Sequence, residues 1–203
     1  MSFSISCAEF IGKMVDGIIN MPVDQEGKHL LPALEKGIPV LLIDRIIPKL
    51  KNVDSVVIDN ARAADEAVSL LLGQGHRRIG IIVGPQDIYT SRQRKEGYKA
   101  ALNRYGIKED ERLIVYSDYT LQGGYESMRK LLQDDNGMTA VFVTNYEMTL
   151  GAIIAINECG IRIPGELSFI GFDNQNLSRV VHPPLTIVTQ PLEEIGVQAA
   201  NVI

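Results

Sequence analysis

Gly75-His76-Arg77-Arg78-Ile79-Gly80-Ile81-Ile82-Val83-Gly84-Pro85 places a short apolar run, Ile79 to Val83, between polar and turn-forming ends. Such a run, with no polar residue alternating through it, predicts a strand covered on both faces, as the strands of parallel sheets are. Upstream of it, Ala64, Ala67, Val68, Leu71 and Leu72 recur at the i, i+3, i+4, i+7 spacing of a helix with one apolar face. The same alternation extends both ways along the chain. Strands are predicted at Val15–Ile19, Val40–Ile43, Ser55–Ile58, Ile79–Val83, Leu113–Tyr116, Ala140–Val143, Leu167–Ile170 and Leu185–Val188. A further helical face runs through Met148, Gly151, Ala152, Ala155, Ile156 and Cys159. Gly73, Gly106 and Gly160 are predicted to end helices in a left-handed conformation, and Pro39 and Pro164 to stand just before strands. Strands alternating with helices in this way predict an α/β fold, parallel sheets flanked by crossover helices.

In an open parallel sheet, ligands bind beyond the carboxyl ends of the strands, so the residues that follow each predicted strand decide what is bound. Those residues are polar here: Asn20, Asp44-Arg45, Asp59-Asn60, Gly84-Pro85, Asp118-Tyr119, Asn145 and Asp173-Asn174. Asp and Asn also favour turns and helix caps, and Asp59 or Asn60 is expected to be such a cap. A sugar presents hydroxyls that both donate and accept, above a patch of C–H surface. Its site needs carboxylates, amides, a guanidinium and an aromatic face. Asp44, Arg94, Tyr119, Asn145 and Asp173 would supply that set if their strand ends converge.

Composition narrows the classes. The chain has 203 residues, 45% of them hydrophobic, enough for one large α/β domain or two lobes with a core each. A net charge of −5, its lysines and arginines scattered, does not make a nucleic-acid surface. His76-Arg77-Arg78 and the group Arg92, Arg94, Lys95, Lys99 are expected to be mostly solvated helix and loop charges. Cys7 and Cys159 stand far apart with no histidine at metal-ligand spacing, which fits a reduced, cytoplasmic protein without a metal. The first residues carry no basic segment, no run approaches about eighteen apolar residues, and neither a leader nor a membrane span is expected. No phosphate loop, dinucleotide fingerprint, G-x-S-x-G elbow or H-E-x-x-H is present. His29, His76 and His182 sit beside turn signals and are expected to pack or line loops. No enzyme and no cofactor is expected.

Several segments, in order along nearly the whole chain, resemble the effector-binding domain of the LacI/GalR family (the lactose/galactose repressors) and of the related periplasmic sugar-binding proteins. They are Val15-Asp16-Gly17-Ile18-Ile19, Gly37-Ile38-Pro39-Val40 through Ile43-Asp44-Arg45, Gly75 to Gly80, Arg94-Lys95-Glu96-Gly97-Tyr98, Asn145 to Ala152, Ile170-Gly171-Phe172-Asp173-Asn174, and His182-Pro183-Pro184-Leu185-Thr186 with Gln190-Pro191. The resemblance implies a two-lobed, periplasmic-binding-protein-like type I fold. Residues 1–59 plus 191–203 would form the amino-terminal lobe and 60–190 the carboxy-terminal lobe. Because the family's first lobe begins with a strand, helix and strand ahead of the Val15 segment, that lobe is expected to be incomplete.

The resemblance also implies that Asp44 and Arg45 meet a ligand from one lobe. Thr90, Arg94, Tyr119, Asn145, Asp173 and Gln190 would meet it from the other, Asp173 foremost. The expected ligand is a sugar, sugar acid or similar small molecule. The expected partners are a second copy of the chain and operator DNA, the latter through a helix-turn-helix head that this sequence lacks. A periplasmic sugar-transport receptor is the alternative function. One departure stands out: Tyr146 follows Asn145 where the family has Asp, which is expected to remove a helix-capping carboxylate and reshape the pocket floor.

Overall fold

A computed structural model describes residues 15–22, 24–134, 136–173 and 181–203; Cys7 and Asn174 lie outside them. In chain order the elements are β1 (Ile18–Asn20), α1 (Leu31–Glu35), β2 (Val40–Ile43), β3 (Asp54–Val56), α2 (Asn60–Gly73), β4 (Ile79–Val83), α3 (Tyr89–Arg104), β5 (Ile114–Tyr116), α4 (Leu121–Gln133), β6 (Ala140–Val143), α5 (Tyr146–Glu158), β7 (Ser168–Phe172), β8 (Thr186–Val188) and α6 (Leu192–Val202). They fall into two compact units, Met1–Ile58 with Pro191–Ile203, and Asp59–Gln190.

The smaller unit is built on a three-stranded parallel sheet, β1-β2-β3. Val40-Leu41-Leu42-Ile43 has no polar residue because β2 is the central strand. Ile18, Leu30, Ala33, Val40, Leu42 and Ile47 make the core of this unit. Ala199 is the buried residue of α6, which packs on β2 and β3.

The larger unit carries a five-stranded, all-parallel sheet in the order β5-β4-β6-β7-β8. Successive strand residues point to opposite faces, and each face has its own helix pair. Ile82, Val141, Val143 and Phe169 pack with Met128, Leu131, Met148, Ala152 and Ile156 of α4 and α5. The alternate residues, including Phe142 and Phe172, face the other way, toward α3. Close helix pairing needs glycine: a Cβ on Gly97 of α3 would lie 2.1 Å from the Ala61 carbonyl oxygen of α2, and one on Gly151 of α5 would lie 2.0 Å from that of Leu121 in α4. The chain runs from β4 outward to β5 and then back across to β6. The crevice beyond the carboxyl ends of β4 and β6 is therefore a topological switch point.

Several element ends differ from the sequence expectation. β1 spans Ile18–Asn20, not Val15–Ile19, because its partners are Val40 to Leu42. β3 is Asp54–Val56 and stops short of Ile58. Leu113 belongs to a 3₁₀ turn, Glu111–Leu113, capped by the Asp110 carboxylate, which accepts from the Arg112 amide, so β5 begins at Ile114. β7 begins at Ser168 and continues to Phe172, and Pro164 lies four residues ahead of it, not beside it. The left-handed residue after α2 is Gly75 (φ 95°), not Gly73, which is still helical. Cys159, expected on the apolar face of α5, caps that helix and is exposed. No helix among the described residues is long and apolar enough to cross a membrane.

Candidate functional site

Helix α3 fixes the centre of the site. Its inward stripe is Thr90, Ser91, Arg94, Gly97, Tyr98, Ala101 and Leu102, so Arg94 points into the unit and is only 3% exposed. The helix starts where Ser91 Oγ and Gln86 Nε2 both donate to the Gly84 carbonyl at the end of β4. This corrects the expectation for one member of the basic group: Arg94 is not a solvated charge. Arg92, Lys95 and Lys99 are less buried, and Arg92 donates to the carbonyls of Gln86 and Asp87.

A guanidinium taken out of water needs its N–H groups met and its charge answered. Arg94 Nε donates to Asn60 Oδ1 at 2.8 Å, and Nη1 donates to the Thr144 carbonyl at 2.6 Å. The guanidinium carbon lies 3.6 Å from the centre of the Phe172 ring, a stacked cation–π arrangement. Asp173 Oδ2 stands 3.8 Å from Nη1. One side chain thus ties together the first residue of α2 and the carboxyl ends of β6 and β7.

Asp173 is itself held in place. It follows β7 in the left-handed region (φ 63°), its amide donates to the Val188 carbonyl, and Oδ1 accepts from Gln190 Nε2 at 2.6 Å. The exposures of the pair differ: the Arg94 side chain is 4% exposed and that of Asp173 29%.

The structure brings Arg94, Asp173 and Gln190 into one cluster, with Asn145 adjoining through Thr144. Asn145 is also the N-cap of α5, its Oδ1 accepting from the Met148 amide. Helix α5 therefore keeps an N-cap although Tyr146 supplies no carboxylate. Tyr146 is the first helical residue and packs against the apolar cluster of the α4–α5 face. Tyr119 follows β5 in the left-handed region (φ 66°) and its ring lies against Gly84, where a Cβ would be 2.2 Å from Cε1. Its hydroxyl is buried without a hydrogen-bond partner among the described residues. Just before it, the Thr120 hydroxyl and amide hold the Asp118 carboxyl below the ordinary range. Thr90 is buried one turn ahead of Arg94. Asp44 and Arg45 follow β2 in the smaller unit, with Asp44 left-handed (φ 67°) and its amide donating to the Val56 carbonyl.

Asn60 and Phe172 are the members of the cluster that spacing did not single out for binding. Asp59 is the cap of α2, accepting from the Arg62 amide, which leaves Asn60 for Arg94. Phe172 lay in the quoted Gly-Phe-Asp segment, where its aromatic character was the available signal. His76 bridges the opposite, amino end of the sheet, with Nδ1 2.9 Å from Thr139 Oγ1 and Nε2 2.9 Å from Ser168 Oγ. A cavity of about 410 Å³ also lies at that end, before β7 and β8, lined by Asn157, Arg162, His182 and Leu185 among others. It is remote from the strand ends where the polar cluster forms. No cluster of three potential metal ligands occurs among the described residues.

The arrangement can hold a polar guest against a fixed carboxylate, beside a guanidinium stacked on Phe172. A family model for the periplasmic binding protein-like domain matches residues 68–203. The chain belongs to the LacI/GalR family. Within that family it is 38% identical to catabolite control protein A of Priestia megaterium over 95% of this chain and 58% of that regulator. Among solved structures, a LacI family transcriptional regulator from Enterococcus faecium with bound ribose is 31% identical, with a TM-score of 0.84 over 96% of this chain and 72% of that one. A complex of the transcriptional regulator CelR with cellobiose is 32% identical, with a TM-score of 0.86 over 96% of this chain and 60% of that one. The chain spans little more than half the length of the curated LacI/GalR relatives it matches. As an effector domain of this family, it has the fold that its sequence led us to expect, periplasmic-binding-protein-like parallel sheets flanked by helices.

Proposed function

We propose that this effector domain binds a sugar or closely related polyhydroxylated molecule at the carboxyl edge of the larger sheet, with Thr90, Arg94, Tyr119, Asn145, Asp173 and Gln190 as the contacts from a lobe of residues 60–190. Asp44 and Arg45, from a lobe of residues 1–59 plus 191–203, close over the same ligand. Binding favours one arrangement of the lobes through its differential contacts. In the parent protein, a cytoplasmic homodimer, that arrangement sets the spacing of helix-turn-helix heads on operator DNA. The domain binds without turning its ligand over.

The observation that carries this reading is the buried Arg94, stacked on Phe172 and facing Asp173 at the carboxyl ends of β6 and β7. A charge so costly to bury, placed where open parallel sheets take their ligands, fits a recognition role. The sugars in the two related complexes support the ligand class. The relatives are transcriptional regulators, which weighs against a transport receptor.

The test is a thermal-shift screen of the chain against pentoses, hexoses and disaccharides, since a ligand at a hundredfold its Kd adds about 2.7 kcal/mol. At least one should raise the melting temperature of the wild type and not of the folded variants Arg94→Ala and Asp173→Ala. A hit whose shift both variants retain would remove the site.

A further inference from the structure

Resting on the reading that a polyhydroxylated guest occupies this site, we infer that the effector is uncharged, and that sugar acids and sugar phosphates are disfavoured by Asp173. The positive member of the central pair is the one withdrawn from solvent: the Arg94 side chain is 4% exposed and the Asp173 side chain 29%. A molecule arriving at the carboxyl edge therefore meets the carboxylate before the guanidinium. The charge of Arg94 already faces a carboxylate at 3.8 Å and a π face at 3.6 Å before any ligand comes. The Arg94–Asp173 pair itself offers no uncompensated cation for an anion to neutralise.

Nor can Asp173 easily give way. Its backbone is anchored to Val188, its φ of 63° leaves few alternative conformations, and Gln190 clamps Oδ1. A carboxylate only accepts hydrogen bonds, so the partner it selects is a donor. A hydroxyl supplies a proton to Asp173 and keeps lone pairs for neighbouring N–H groups. A phosphate dianion or a carboxylate supplies no proton and sets like charge against like.

The test is built on Asp173→Asn, which keeps the shape and removes the charge. Inorganic phosphate at millimolar concentration is titrated calorimetrically into the wild type, Asp173→Asn and Asp173→Asn/Arg94→Met. In parallel, D-ribose is compared with ribose 5-phosphate and D-galactose with D-galacturonate. Phosphate should leave the wild type unchanged, bind Asp173→Asn at least about tenfold more tightly, and lose that gain in the double variant. Asp173→Ala should show the same gain, which guards against misfolding of one variant. Phosphate binding by the wild type that depends on Arg94, no gain in either Asp173 variant, or a charged sugar bound more tightly than its neutral counterpart would overturn the inference. A failure of the sugar reading itself looks different: no sugar binds, while the phosphate series still reports the charge of the pair.

Discussion

Asn60→Ala isolates what holds Arg94 in place. The substitution deletes the acceptor 2.8 Å from Arg94 Nε in a position where Asn60 is 1% exposed and Arg94 3%, so water does not readily replace it. A hydrogen bond to a buried charged group contributes about 1.5–3 kcal/mol. For a domain between the small and large size classes, each kcal/mol corresponds to about 4 °C, so the melting temperature should fall by about 6–12 °C. Asn60→Asp keeps an acceptor at the same place and should recover most of the loss. With Nε untethered, the guanidinium is also freer to leave the Phe172 face, and sugar affinity should drop by about tenfold, or 1.4 kcal/mol. Differential scanning calorimetry and a binding isotherm on the three proteins measure both effects. A melting temperature for Asn60→Ala within about 1 °C of the wild type, or an Asn60→Asp variant as damaged as Asn60→Ala, would refute the reasoning.

Gly84 acts through Tyr119, because a Cβ there would meet the ring at 2.2 Å; Gly84→Ala should weaken sugar binding in the wild type and have little further effect in a Tyr119→Ala background, read as a double-mutant cycle. Gly97→Ala drives a Cβ to 2.1 Å from the Ala61 carbonyl oxygen and should destabilise the larger unit by about 1–3 kcal/mol in urea denaturation. Hydrogen bonds from Arg112 and Arg78 hold the Asp110 carboxyl well below the usual carboxylate range. Its folded-state value being depressed, Asp110 contributes stability above pH of about 4 and loses that contribution as the pH falls further. Stability measured from neutral to acid pH should therefore decline less steeply below that point in Asp110→Asn than in the wild type.

What the sequence revealed, and what it hid, follows from how local each signal is. Ile79–Val83 and Ala140–Val143 are found at their predicted bounds because buried central strands carry an unbroken apolar run whose ends are polar. β1 is an edge strand whose limits are set by its register with β2, which no feature of Val15 or Asn20 displays. Leu113 is as apolar as a strand residue, and only the Asp110 cap turns its segment into a 3₁₀ turn.

The polar cluster was legible in the same partial way. Asp173, Arg94 and Gln190 were singled out, and the structure gathers them around one ion pair. Arg94 also belongs to a run of basic residues, and charge spacing cannot separate a buried guanidinium from its half-buried neighbours Arg92, Lys95 and Lys99; the helical stripe through Gly97, Tyr98 and Ala101 does. The partnership of Asn60 with Arg94 spans 34 positions and two helices, a tertiary contact that local periodicity does not encode. Tyr146 brings no carboxylate to the start of α5, but the amide oxygen of Asn145, one of the polar residues expected either to cap or to bind, caps the helix.

The most direct measurement is a crystal structure of the chain with the tightest neutral sugar of the screen. The account expects ligand hydroxyls within hydrogen-bond distance of the Asp173 carboxylate, with Arg94 still stacked on Phe172. Density for the sugar elsewhere, for instance in the cavity lined by Arg162 and His182 at the far end of the sheet, would contradict it.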